Sequence, residues 1–361
     1  MGELKNIPYI LIVTSKEEKG IVSSQIKNYF DDKKSHYVVI MDEDDYGKNV
    51  KWLGGLNNLI NKLPSLKELR KKCDSGKQKK IKGYSRRINN AIKRFKPAAV
   101  VCPTTYGLLI TLAANVDGCF NTQIVSLSTD FTLDKNAIDS KVDKYIVENE
   151  EIKDALISNG IPNTDVFTLG IPFSATPINQ EEKTALKDKL GLRDVPTVFV
   201  CVNNGSENLE VLDMLFDQGD IINVVAYVDD KKLLNELRKK VESKSCDNVQ
   251  LFDKLNLYGD YLSVSDILIT NYEAATVSKA FLLGKAVIAF APKGEVQKND
   301  VTYLEENKLI AYAKSSQDVI IKLYDVLQTE LNVELVNNAK NRFKSGQLAE
   351  ICEFLASLGA V

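Results

Sequence analysis

VDKYIVENEEIKDALISNGIPNTDVFTLGIPF, Val142 to Phe173, holds one complete strand–helix–strand unit. Lys144–Val147 is a short β-branched and aromatic run that reads as a strand. Glu150–Asn159 carries helical spacing, and Gly160 stops it at the C′ position. Val166–Thr168 reads as the next strand. Two strands separated by a helix are parallel, because a parallel pair needs a long crossover.

The same alternation extends toward the N-terminus. Tyr9–Thr14, Tyr37–Asp42, Ala98–Cys102 and Gln123–Ser128 are predicted strands; Val22–Phe30, Ser85–Phe95 and Leu108–Ala114 are predicted helices. Beyond Phe173 the pattern restarts. Thr197–Val202, Asn223–Tyr227, Val249–Phe252, Ile267–Thr270 and Ala286–Phe290 are predicted strands. Gln180–Leu190, Asn208–Phe216, Lys231–Val241, Leu257–Ser263, Thr276–Leu283, Asn299–Asn307, Gln317–Leu327 and Glu334–Leu358 are predicted helices. Pro172 and Pro177 punctuate the junction. The expectation is two tandem α/β domains, 1–172 and 173–361, with the last helices able to pack back on the first. Ligands of such sheets bind beyond the carboxyl ends of the strands.

The 361 residues suit two domains, and 44% hydrophobic with 27% charged residues is an ordinary globular balance. No apolar run approaches 18 residues, so no spanning helix is expected. Ile7–Val13 reads as a buried strand rather than a signal peptide. The six cysteines are scattered with no CxxC spacing, which favours buried thiols in a reducing compartment over metal ligation. No metal or resident cofactor is called for. The single histidine, His36, excludes any mechanism needing two, and its place beside Lys33 and Lys34 reads as surface.

Net charge is −2, but unevenly spread: fourteen Lys/Arg against Glu68 and Asp74 make Asn61–Lys96 +12 and leave the rest of the chain at −14. Trp52, Leu53, Leu56, Leu59, Ile60 and Leu63 precede and enter this run at helical spacing. A basic amphipathic helix with a Trp near one end reads as a binder of an anionic membrane surface, through Trp52, Lys71, Lys72, Lys79, Lys80, Arg86 and Arg87. A core-packed helix followed by a solvated basic loop is the plainer alternative. Nucleic acid is disfavoured, since only Tyr84 and Phe95 interleave the basic run.

Val142–Phe173 closely resembles the domain junction of family 28 glycosyltransferases, in particular the monogalactosyl- and processive glucosyl-diacylglycerol synthases. The resemblance continues through LKDKLGL (Leu186–Leu192), SVSDILIT (Ser263–Thr270) and LLGKAVIAFAPKGEVQKN (Leu282–Asn299), and includes FKPAAVVCPTTY (Phe95–Tyr106) and IVSLSTDFT (Ile124–Thr132). It implies the GT-B fold, two Rossmann-like domains facing a cleft. It also implies transfer of a sugar from a UDP-sugar to a membrane lipid, by a protein peripheral to the cytoplasmic face of the membrane.

The matching positions depart from the family's chemistry. Where the family's first loop ends Gly-Gly-His, this chain keeps Gly20 and puts Ile21 in the place of the presumed base. Glu17 and Glu18 are substitute candidates or solvated loop charges. Asp130, in STDF, holds the family's Thr-Asp position and is the best candidate base, or simply a turn aspartate after a strand. On the donor side, Gly205 and Ser206 remain from a glycine-rich turn, and Phe252 and Lys254 lie where the uracil would pack. Asn271–Ala280 keeps Thr276, Ser278 and Ala280 of the diphosphate motif, but Glu273 and Ala274 replace its glycines and Lys279 replaces the ribose-binding acid. A carboxylate at Glu273 would repel a phosphate, and Lys279 has no acceptor for a ribose hydroxyl. In the sugar-reading motif Gly294 and Asn299 stay, while Glu295 and Val296 replace Gln and Glu; Gln297 is the nearest side chain able to substitute. The expected function is therefore a non-catalytic glycosyltransferase-like protein with a binding or regulatory role, with a protein partner unidentified. The alternative is a divergent hexosyltransferase.

Overall fold

The computed structural model describes residues 7–15, 22–42, 86–115, 120–202, 206–219, 221–228, 230–344 and 346–358. The chain divides into two compact units, Met1–Ser174 with Gly346–Val361, and Ala175–Ser345.

The first unit is a parallel sheet of six strands: β1 (Tyr9–Val13), β2 (Tyr37–Met41), β3 (Ala99–Cys102), β4 (Gln123–Leu127), β5 (Lys144–Val147) and β6 (Val166–Thr168). They lie in the order β2-β1-β3-β4-β5-β6. Helices cover both faces of such a sheet, which is why its central strands read as unbroken apolar runs: Ile10–Val13 and Ala99–Cys102 are buried throughout. The direction of strand addition reverses between β1 and β3. There the helix Thr105–Ala114 starts, one turn earlier than its apolar spacing predicts, because the Thr104 side chain accepts the Gly107 N–H at 3.1 Å. Gly107 is required at this point, since a Cβ would stand 2.1 Å from the Val13 carbonyl oxygen.

The helix Gln347–Ser357 also belongs to this unit. Phe354 meets Phe167 with ring centroids 4.4 Å apart, and Glu353 takes hydrogen bonds from Tyr29 and Lys33 on the helix Ser24–Lys33. The expected single helix Glu334–Leu358 is therefore two, Leu331–Arg342 and Gln347–Ser357. The backbone turns at Gly346, where φ is 109°. His36 is half-buried rather than at the surface: its ring stands 4.9 Å from Phe30, and burial lowers its pKa.

The second unit holds β7 (Thr197–Val202), β8 (Asn223–Val228), β9 (Val249–Phe252), β10 (Ile267–Thr270), β11 (Ala286–Phe290) and β12 (Ala311–Ala313), also all parallel. The order β12-β11-β10-β7-β8-β9 is the doubly wound arrangement, with its reversal between β10 and β7. β12 is an addition to the predicted strands; three residues are too few to show a period. The helix Gln180–Leu190 has its predicted bounds and is opened by a capping box between Asn179 and Glu182. The helix expected from Asn299 instead begins at Gly294.

Candidate functional site

The reversal between β7 and β10 sets the loops after β7, β10 and β11 side by side along the carboxyl edge of the second sheet. Three of the four donor motifs read from the sequence fall on those loops. Ser206 opens the helix Ser206–Phe216 after β7, Glu273 precedes the helix Ala274–Leu282 after β10, and Gly294 opens the helix Gly294–Glu306 after β11.

Glu273 occupies the N-cap of its helix, but its carboxylate turns to a side chain: Thr276 Oγ1 donates to Glu273 Oε2 at 2.8 Å. The Thr276 hydroxyl also meets the Tyr258 hydroxyl at 3.0 Å, which in turn lies 3.2 Å from Cys201 Sγ on β7. The result is a continuous polar chain, Cys201–Tyr258–Thr276–Glu273, beneath the helix start. Burial pushes the Cys201 thiol up to about 12, with the Glu273 charge adding to the rise and Lys279 opposing it. Tyr258 is raised well above its ordinary value by burial and by Cys201. Both therefore remain protonated donors at neutral pH. Sequence reading missed Tyr258 and Cys201, which lie 18 and 75 positions from Thr276 and carry no local motif.

Tyr272 shapes the same turn. Its φ is 63°, a left-handed conformation uncommon for a bulky residue. Its hydroxyl donates to Asp300 Oδ2 at 2.8 Å, and both residues are buried. That buried bond anchors the turn to the helix Gly294–Glu306.

The remaining donor-side residues are dispersed in environment. Ser278 is fully buried and its hydroxyl has no partner. Lys279 is half-buried. Phe252 is buried among Tyr261, Tyr227 and Phe199, so its ring is a core contact. Lys254 is exposed. Glu295, Asn299 and Gly294 are exposed at one helix start. Gln297, the candidate substitute for sugar reading, instead accepts the Lys293 N–H at 2.6 Å and serves as a cap.

In the first unit, Asp130 is half-buried just past β4. It lines a small cavity of about 40 Å³ at the carboxyl ends of β3 and β4, with Thr104, Thr105, Ser128 and Asp134. Asp134 accepts the Thr105 hydroxyl at 2.7 Å. Arg86 and Arg87 begin the described part of the helix over 86–95 and are exposed. Glu17, Glu18, Gly20, Trp52, Lys71, Lys72, Lys79, Lys80 and Gly205 lie outside the described residues. Among the described residues no group of His, Cys, Asp and Glu could hold a metal ion, and no helix is long and apolar enough to cross a membrane.

The family model for monogalactosyldiacylglycerol (MGDG) synthase matches residues 57–173. A processive diacylglycerol beta-glucosyltransferase of Staphylococcus haemolyticus is 23% identical over 267 residues, 72% of this chain and 66% of its own length. One from Bacillus pumilus is 22% identical over 61% of this chain and 57% of its own. The chain thus spans about two thirds or less of the length of these relatives. Among solved structures, Staphylococcus aureus MnaA in complex with UDP superposes with a TM-score of 0.68 at 13% identity, covering 95% of this chain and 94% of that one. Acinetobacter baumannii MurG gives 0.62 at 12% identity, over 97% and 99%. With two parallel six-stranded sheets of this kind, the chain has the GT-B fold and is a low-identity relative of the MGDG synthases and processive diacylglycerol glucosyltransferases.

Proposed function

We propose that this chain is a glycosyltransferase-like protein that does not turn over a sugar nucleotide and serves in binding or regulation at an anionic membrane surface, on its cytoplasmic face. The observation that carries this reading is the Glu273–Thr276 bond. A diphosphate at the start of the helix Ala274–Leu282 would use its backbone N–H groups and the Thr276 hydroxyl. Here that hydroxyl is given to a carboxylate of the chain itself. At about 5 Å and an effective dielectric of about 20, the carboxylate repels each phosphate charge by about 3 kcal/mol. Lys279, in place of an acid, offers a ribose hydroxyl no acceptor. The basic segment between Asn61 and Lys96 supports the membrane part of the reading.

The second reading is a divergent transferase that moves a sugar from a UDP-sugar to a membrane lipid. The cavity beside Asp130 favours it, because a base must stand next to a space where an acceptor hydroxyl fits. Calorimetric titration with UDP, UDP-glucose and UDP-galactose separates the two, alongside a transfer assay on diacylglycerol vesicles. Dissociation constants above about 100 μM, about 5.5 kcal/mol, and no transfer are the expected results. Tighter binding with measurable transfer would overturn the first reading in favour of the second.

A further inference from the structure

At the opposite, amino-terminal edge of the second sheet lies a cavity of about 430 Å³ that no donor motif touches. Ser265 and Asp266 enter it just before β10, and Gly284 and Lys285 just before β11. The helix Gln180–Leu190 contributes Lys183. The end of the helix Ser316–Gln328 and the start of Leu331–Arg342 supply Val326, Asn332, Val333, Val336 and Asn337.

The charge here is unbalanced. Lys183 donates to Asp266 Oδ1, and Asp266 Oδ2 also accepts the Thr197 N–H at 2.8 Å. Lys187 stands 4.0 Å from the same carboxylate and donates to the Val195 carbonyl at 2.7 Å. Lys285 is buried, at 8% exposure, and its ammonium donates to the Ser263 carbonyl at 2.6 Å. The exposed Lys340 runs over Gly284: a Cβ on that glycine would stand 2.9 Å from its Cε and 3.5 Å from its Nζ. Asp266 is the carboxylate that faces this group of four ammonium ions; Asp194 acts on Lys187 as well.

We propose that this cavity binds a phosphate monoester, with the phosphate against Lys285, Lys183 and Lys340 and the carbon skeleton along Val326, Val333 and Val336. A phosphate dianion supplies the negative charge that the half-buried Asp266 carboxylate alone does not. The amides of Asn332 and Asn337 line the same cavity and suit ester or hydroxyl oxygens. The volume falls in the range of small-ligand pockets, which leaves room for more than inorganic phosphate. Val333, 54% exposed, gives the apolar side of the cavity an open rim. Burial and the surrounding lysines hold Lys285 down to about 8, which a bound dianion would reverse. The site stands independently of whether a nucleotide binds at the other edge of the sheet.

The 361-residue chain is titrated calorimetrically with inorganic phosphate and with glycerol 3-phosphate at constant ionic strength, with chloride as the control salt. Vesicles containing phosphatidate, against neutral vesicles, form a separate arm that distinguishes a lipid headgroup from a free ester. Saturable binding of glycerol 3-phosphate is expected, at least tenfold weaker in Lys340→Glu and in Lys285→Met. Binding to phosphatidate vesicles that Lys340→Glu abolishes, without binding of the free ester, would assign the same phosphate chemistry to a lipid. Lys340 is exposed, so its variant keeps the test open should Lys285→Met fail to fold. Equal affinity in wild type and Lys340→Glu, or a response that chloride reproduces, would overturn the proposal.

Discussion

Thr276 Oγ1 donates a 2.8 Å hydrogen bond to Glu273 Oε2 and simultaneously meets the Tyr258 hydroxyl at 3.0 Å. A hydroxyl has one proton to donate, so the proton given to Glu273 is withheld from any ligand above the helix start. Glu273→Gly combined with Lys279→Glu removes the carboxylate, frees Thr276 and restores an acceptor for ribose hydroxyls. UDP affinity should rise at least tenfold in the double variant, about 1.4 kcal/mol. Calorimetry on both single variants and the pair checks this; a wild type that already transfers sugar, with activity lost in the double variant, would sink it.

Lys285 makes folding stability depend on alkaline pH. Its pKa is about 8 in the folded protein against an ordinary 10.5, so between those values the unfolded chain binds more protons. Stability contributed by this group therefore rises as pH rises from about 8 to about 10.5, and the full cost of burying the charge is present below about 8. The span corresponds to at most about 3 kcal/mol. In phosphate-free buffer, the wild type should gain stability relative to Lys285→Met across that window, read as the difference in urea-unfolding free energy.

Gly107→Ala should destabilise the first unit by about 1–3 kcal/mol, the range for forced overpacking. The clash is with backbone, the Val13 carbonyl at 2.1 Å, so no side-chain rotation relieves it. A lowered urea midpoint is the expected readout, and an unchanged midpoint would contradict the close approach of helix to strand.

The buried thiols should be inert. Cys102, Cys201 and Cys352 are each pushed up to about 12 by burial, so almost no thiolate exists at pH 8. Iodoacetamide treatment followed by peptide mass spectrometry should leave these three unmodified in native protein and modify them in urea.

Binding to anionic vesicles should fall with added salt, since each Lys/Arg near such a surface contributes about 1 kcal/mol and the attraction decays over a Debye length. Equal co-sedimentation with neutral and anionic vesicles would remove the electrostatic part of the membrane reading. Unchanged binding in Trp52→Ala would remove its insertion part.

The alternation of strands and helices was legible in the sequence because buried parallel strands need apolar residues on both faces. Runs such as TVFVCV, ILIT and AVIAF satisfy that locally, and their bounds Thr197–Val202, Ile267–Thr270 and Ala286–Phe290 agree with the structure. The Glu334–Leu358 stretch was not divisible by the same means, since helical spacing persists across its break. Phe343 stacks on Phe281 in the second unit, at 4.8 Å, while Phe354 packs on Phe167 in the first; long-range partners of the two halves decide where the chain turns. The candidate site divides in the same way. Glu273, Thr276 and Lys279 are visible together in the sequence, because the first turns of one helix hold them within seven residues. Cys201 joins them only because β7 and β10 are neighbours in the sheet, and Tyr258 because its helix, Leu255–Val264, packs on β7 through Phe199. Lys183, Lys285 and Lys340 come together only because three distant segments reach one region of the second unit. Local physics is written in consecutive residues, whereas a cluster assembled from distant segments exists only once the strand order is set.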